Sequence, residues 1–207
     1  TIYRTIEKSL QEVAKEQGLI VEEDILKIDD ALSGTLEELE ALKKDFDYIL
    51  CDSPAGIERG ATLAMYFADT AIVVSNPEVS SVRDSDRMLG ILDSKSRRAE
   101  LGLDPVKQHL LLTRYSLTRV ERGDMLSVDD VLDILSIPLL SVIPESQAVL
   151  RASNAGVPVT LNGESDAHQA YADAVSRLLG DDVPFKFIKL EKKGLLRRLF
   201  GREEIAT

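Results

Sequence analysis

Thr70-Ala71-Ile72-Val73-Val74-Ser75-Asn76-Pro77-Glu78-Val79-Ser80-Ser81-Val82-Arg83-Asp84 reads as an apolar β-run, a break, and the start of a helix. The six residues before Asn76 have the length and β-branched character of a buried strand. The same order recurs along the chain. Apolar runs at 46–51, 70–75, 109–114 and 139–143 are each followed by a helical pattern, at 58–68, 81–99, 127–135 and 146–155. Strand then helix, repeated, makes βαβ units, so the predicted fold class is α/β: a parallel sheet with helices on its faces.

Outward from this repeat, Ile2, Ile6, Leu10 and Val13 share one helical face, and Leu36, Leu39 and Leu42 share another before the first run. A last helix over 166–179 is stopped by Gly180, and 158–161 reads as a short strand. The predicted organisation is a helical segment over 1–44, an α/β domain over 45–180, a linker over 181–187 and an amphipathic helix over 188–202.

The 44% apolar and 29% charged composition, without Trp, is that of a globular protein rather than a disordered chain. Cys51, the single cysteine, ends the run Tyr48-Ile49-Leu50-Cys51 and is expected to be a buried thiol. One cysteine allows no disulfide within the chain, which fits a reducing, cytoplasmic compartment. No stretch reaches the roughly 18 apolar residues of a membrane span, and residues 1–10 lack the apolar core of a signal peptide. The sequence begins at Thr1 rather than Met, as a piece of a longer protein would. The net charge of −11 speaks against nucleic acid as a partner. Residues 186–202, however, hold seven Lys or Arg against one Glu, so an acidic body carries a basic tail.

In open parallel sheets, ligands bind beyond the carboxyl ends of the strands. The first run ends there in Asp52, followed by Ser53-Pro54-Ala55-Gly56. A strand-terminal Asp serves as a turn-maker or helix cap, and it is also how a P-loop NTPase holds Mg²⁺ through water. The small residues after it let backbone approach a ligand above the sheet edge. This passage, Cys51-Asp52-Ser53-Pro54-Ala55-Gly56-Ile57-Glu58, resembles the MinD family of deviant Walker ATPases. So do the run from Asn76-Pro77-Glu78 to Asp86-Arg87, Leu111-Leu112-Thr113-Arg114-Tyr115, and Val142-Ile143-Pro144-Glu145 with Val149-Leu150-Arg151-Ala152-Ser153-Asn154.

The resemblance spans residues 45–201 and implies a membrane-associated, ATP-hydrolysing protein of division-site selection. It implies that Asp52 is the Walker B acid and holds Mg²⁺ through water, and that Ser53, Pro54, Ala55 and Gly56 form a γ-phosphate switch. By the same resemblance Arg114, Pro144 and Glu145 contact the nucleotide. Glu78, Arg83, Asp84, Asp86 and Arg87 would serve the ATP-dependent homodimer and partners of the MinC inhibitor and MinE regulator kinds. On pattern alone that helix is a solvated face, Arg114 a strand-end charge and Pro144 a loop proline.

The family's remaining element, G-x-x-x-x-G-K-[ST], cradles phosphates with backbone amides and a lysine. No Gly-Lys-Ser/Thr triplet occurs in these 207 residues, and residues 1–44 hold only Gly18 and Gly34. Phosphoryl transfer needs the full set of positioning groups, so these residues alone are not expected to bind and hydrolyse ATP.

In the basic tail, Ile188, Leu195, Leu196, Leu199 and Phe200 share a helical face, while Lys189, Lys193 and Arg197 lie away from it and Lys192 and Arg198 snorkel from its edges. Such a helix lies in the headgroup region of an anionic membrane; the pattern equally suits a helix docked on its own domain. The resemblance selects the membrane, and with it a peripheral place at the inner face of the bacterial cell membrane. Three other readings remain: a non-catalytic adaptor, a MinD-like regulator of flagellar number, and a partition ATPase, against whose DNA binding the acidic body counts.

Overall fold

A parallel strand is stable only when its peptide groups find neighbours, and three of the four apolar runs find them. The computed structural model describes residues 34–53, 59–161 and 165–188. The chain divides into two units, Thr1–Phe67 and Ala68–Thr207.

The second unit holds a three-stranded parallel sheet of β1 (Thr70–Ser75), β2 (Lys107–Tyr115) and β3 (Leu139–Pro144), in the order β1-β2-β3. The expected parallel α/β architecture is present. Thr70 is in register with Lys107 and Ser75 with Leu112, so β2 runs on past β1. Along β3 the pairing passes from Leu112↔Val142 to Tyr115↔Pro144, three steps on β2 against two on β3. The extra residue is a bulge, and within it Arg114 takes a left-handed φ of 58°.

After β1 comes α3 (Val79–Lys95), which buries Val82, Ser85, Leu89 and Leu92, one stripe at helical spacing. The predicted continuous helix breaks at Ser96. Its extended backbone and its hydroxyl, which accepts from the Ala99 amide, start the separate short α4 (Arg97–Glu100). β2 leads into α5 (Leu117–Glu121) and α6 (Val128–Leu135), the latter opened by a capping box of Ser127 and Asp130. Right-handed crossovers between strands laid down in order put α3 and α6 on one face, and they touch. α7 (Gln147–Asn154) and α8 (Asp166–Leu178) follow β3. Ala167, Ala170 and Ala174 let α8 approach closely, packing on Leu111, Leu140 and Ile143 while Ser141 Oγ donates to Ala170 O at 3.0 Å.

In the first unit, residues 34–42 form helix α1, as the Leu36, Leu39, Leu42 spacing predicts, and Arg59–Tyr66 forms α2. The other expectations about this unit need correction. Residues 46–51 are not a strand: Phe46, Tyr48 and Leu50 are exposed, Leu50 at 88%. Cys51, expected to be buried, is exposed. The reason is that a strand needs a ladder partner, and among the described residues of this unit none is extended beside it. Two smaller corrections concern the second unit. Residues 158–161 contribute a 3₁₀ turn, Val159–Leu161, instead of a strand. β1, expected to be buried on both faces, buries Val73 and Ser75 but leaves Ile72 and Val74 exposed. The predicted helix over Ile2, Ile6, Leu10 and Val13 lies outside the described residues.

Candidate functional site

The carboxyl ends of three parallel strands bring three loops to one edge: Asn76 to Glu78 after β1, Arg114 to Ser116 at the end of β2, and Pro144 to Ser146 at the end of β3. Hydrogen bonds stitch the edge together. Thr113 Oγ1 donates to Asn76 Oδ1 at 2.9 Å, tying the first loop to the second. The Glu145 amide donates to Tyr115 O at 2.8 Å, tying the second to the third. The Leu126 amide donates to Pro77 O at 3.0 Å, which fixes the buried Pro77 from the β2–β3 connection. Ser146 Oγ then accepts from the Ala148 amide and starts α7.

Arg114 and Glu145 are exposed on this edge and Pro144 is half-buried between them. The left-handed backbone at Arg114 turns its side chain out of the ladder's alternation, so the bulge converts a strand residue into a rim residue. Beside it Tyr115 is buried, and burial, then the charge of Asp129, push its hydroxyl above the ordinary tyrosine range.

The predicted partner residues fall on α3 and at its start. Arg83, Asp84, Asp86 and Arg87 are exposed, on the side away from the buried stripe of Val82, Ser85, Leu89 and Leu92. Glu78 is exposed and pairs with Arg119 at 3.6 Å. That pair is open to solvent and adds about 0 to 1 kcal/mol. Asp52 is exposed and Ser53 half-buried in the first unit, whereas Pro54, Ala55 and Gly56 lie outside the described residues. Of the tail, Ile188 is half-buried; Lys192, Lys193, Leu195, Leu196, Arg197, Arg198, Leu199 and Phe200 lie outside them.

Sequence reasoning did not single out Asn76, Thr113, Tyr115 or Arg119. The signal for Asn76, Thr113 and Tyr115 was positional, in the last residues of a strand or just past it, where ligands meet open sheets; Arg119 lies within α5 and carried no such signal.

An exposed guanidinium beside a half-buried proline offers a planar cation and an apolar wall for an aromatic ring. No group in the described residues plays the part of the absent Gly-Lys-Ser/Thr loop, and among them no cluster of three or more His, Cys, Asp or Glu could hold a metal ion. The described residues therefore do not make a complete ATP and Mg²⁺ site, and no hydrolytic step follows from them.

No family model matches the chain. Individual proteins do. Septum site-determining protein MinD of Escherichia coli is 64% identical over 172 residues, covering 83% of this chain and 63% of that protein. MinD of Neisseria meningitidis is 58% identical over the same shares. The chain thus spans less than two thirds of the length of the curated relatives it matches. Among solved structures, the MinC:MinD cell division protein complex of Aquifex aeolicus has a TM-score of 0.65 at 39% identity, covering 78% of this chain and 63% of that one. MinD of Pyrococcus horikoshii complexed with Mg-ADP has a TM-score of 0.59 at 26% identity, covering 79% and 64%.

Proposed function

This chain is MinD-like in both sequence and fold, and on that premise we propose that it is part of a MinD-type ATPase that selects the bacterial division site by recruiting a septation inhibitor to the membrane. The observation that carries the reading is the edge where Asn76-Pro77, Arg114-Tyr115 and Pro144-Glu145 meet on a parallel sheet, in a sequence 64% identical to a septum site-determining protein. Arg114, Pro144 and Glu145 face the nucleotide base. Asp52 serves as the Walker B acid, with Mg²⁺ held through water, and Ser53, Pro54, Ala55 and Gly56 form the switch beside the phosphates. Hydrolysis belongs to the protein together with a phosphate-cradling loop, which these 207 residues do not contain.

The exposed face of Glu78, Arg83, Asp84, Asp86 and Arg87 takes the partners, a MinC-type inhibitor and a MinE-type regulator, and the dimer. A complex of MinC with MinD is known in Aquifex aeolicus. The tail, with Ile188, Leu195, Leu196, Leu199 and Phe200 on one face and Lys192, Lys193, Arg197 and Arg198 around it, holds the protein at the inner face of the cell membrane. No helix among the described residues is long and apolar enough to cross a membrane. One short helix binds weakly, so pairing two copies multiplies the anchors by avidity.

Co-sedimentation with anionic vesicles tests the reading. The full chain should pellet and carry a MinC-type protein with it, while a chain ending at Val183 should stay in solution with that partner. Equal pelleting of the two chains, or none by either, would sink the membrane assignment. Pelleting that excludes the MinC-type protein would sink the recruitment.

A further inference from the structure

Beyond α8 the chain does not leave the body. Gly180, at a φ of 103°, reverses it, and residues 181–187 return along the helix they have just left. Arg177 grips the returning strap. Its Nε donates to Val183 O at 2.8 Å and its Nη2 to Pro184 O at 3.0 Å. Its Nη1 donates to Leu140 O at 2.9 Å and Ser141 Oγ at 3.3 Å on β3, and its guanidinium carbon lies 4.1 Å from the Phe185 ring centroid. One turn earlier on α8, Asp173 accepts from Gln169 at 2.7 Å and pairs with Lys186 at 3.2 Å. Phe187 packs on the core of Leu111, Leu140, Ile143 and the α8 alanines. Contacts therefore step from Arg177 to Asp173 as the strap steps from 183 to 186, antiparallel to the helix.

The gripped residues have the chemistry of the tail that follows. Phe185-Lys186-Phe187 runs straight into Ile188-Lys189-Leu190, aromatic and basic residues continuing into apolar and basic ones. Aromatic rings beside a lysine favour the headgroup boundary of an anionic bilayer, where the ring is buried and the charge is attracted.

Resting on the membrane reading above, we propose that the lipid-binding element begins at Phe185 and not at Ile188, and that Arg177 and Asp173 form a clasp holding its first three residues on the body. The clasp and the bilayer compete for one segment. Phe187 has an apolar place in either, Phe185 exchanges partial exposure and the Arg177 guanidinium for the bilayer, and Lys186 exchanges one buried carboxylate for many lipid phosphates. Membrane capture thus peels the strap from α8, and the body alone sets how much of the anchor is available.

The test uses the full chain, phosphatidylcholine vesicles doped with phosphatidylglycerol, and two variants, Arg177→Gln and Asp173→Asn. Each should be cleaved by trypsin after Lys186 several-fold faster than the native chain, and each should pellet several-fold better at limiting lipid. Adding Phe185→Ser and Phe187→Ser to either variant should cancel the gain. Faster cleavage with unchanged or weaker pelleting would overturn the reserve element, and unchanged cleavage in both variants would overturn the clasp. Should Arg177→Gln fail to fold, Asp173→Asn, which keeps every bond Arg177 makes, carries the same outcomes. A native chain that pellets no better than one ending at Val183 overturns the membrane reading itself, a failure distinct from the other two.

Discussion

Among the described residues, Arg114 and Ser136 hold a left-handed backbone without being glycine, and they do so for different reasons. Arg114 occupies the bulge at the end of β2, where the conformation aims a guanidinium at the rim of the candidate site. Ser136 closes α6: its amide donates to Leu132 O at 2.9 Å, the bond that ends a helix with one left-handed residue. Its side chain makes no such contribution to a site. A left-handed L-residue costs about 1 to 2 kcal/mol, of which glycine recovers part after its own entropy loss. Ser136→Gly is therefore expected to raise stability by roughly 0.5 to 1 kcal/mol, read as a higher urea midpoint at unchanged slope. A lower midpoint would show that the serine side chain matters more than the backbone.

At the scale of elements, β2 governs the second unit because it is the strand with a ladder on both sides. Leu110 and Leu112 on it have no exposed surface, and they face opposite to Leu111, which packs toward α8. Leu112→Ala removes three buried carbons and leaves a cavity, a loss of about 3 kcal/mol in urea unfolding. Val74→Ala on β1 should cost only a few tenths, since Val74 is 60% exposed. Similar costs for the two would mean that the open face of β1 is covered in solution. The contrast also explains the error over residues 46–51. Their pattern matches that of β1, but hydrophobic pattern specifies a willingness to be a strand, whereas a strand exists only beside another.

For the whole molecule, acid should act in two steps. Burial, and then the charge of Lys107, lower the His109 pKa below its ordinary 6.5, so folding favours the neutral ring. Burial alone would raise the Asp173 pKa, but hydrogen bonds from Gln169 and Lys186 and the charges of Lys186 and Arg177 outweigh it and hold the carboxyl below its ordinary 3.8. In both cases the unfolded chain binds its proton first, so stability is present above the unfolded pKa and is lost as pH falls through the folded one. Urea midpoints should decline on acidification first below pH 6.5 and again below pH 3.8. His109→Gln should abolish the first step and Asp173→Asn the second. A first step that survives His109→Gln would assign it to another group.

The sequence by itself determined that the chain is α/β, where β1, β2 and β3 and the main helix after each lie, though not the break at Ser96 or the short α5, and which exposed side of α3 is charged. These are local properties, written in the alternation and spacing of apolar residues, and neighbours along the chain suffice to read them. It also showed the resemblance to MinD and the absence of a Gly-Lys-Ser/Thr loop, which are facts of residue identity. Only the tertiary structure decided that residues 46–51 join no strand ladder among the described residues, that a bulge lifts Arg114 onto the rim, that Thr113 reaches Asn76, and that residues 181–187, read as a linker, are gripped by Arg177. Thr113 and Asn76 lie 37 residues apart, and Arg177, which grips carbonyls only six and seven residues on, is itself held to Leu140 37 residues away. Local pattern fixes what a segment can form; the partner that satisfies its polar groups fixes what it does form.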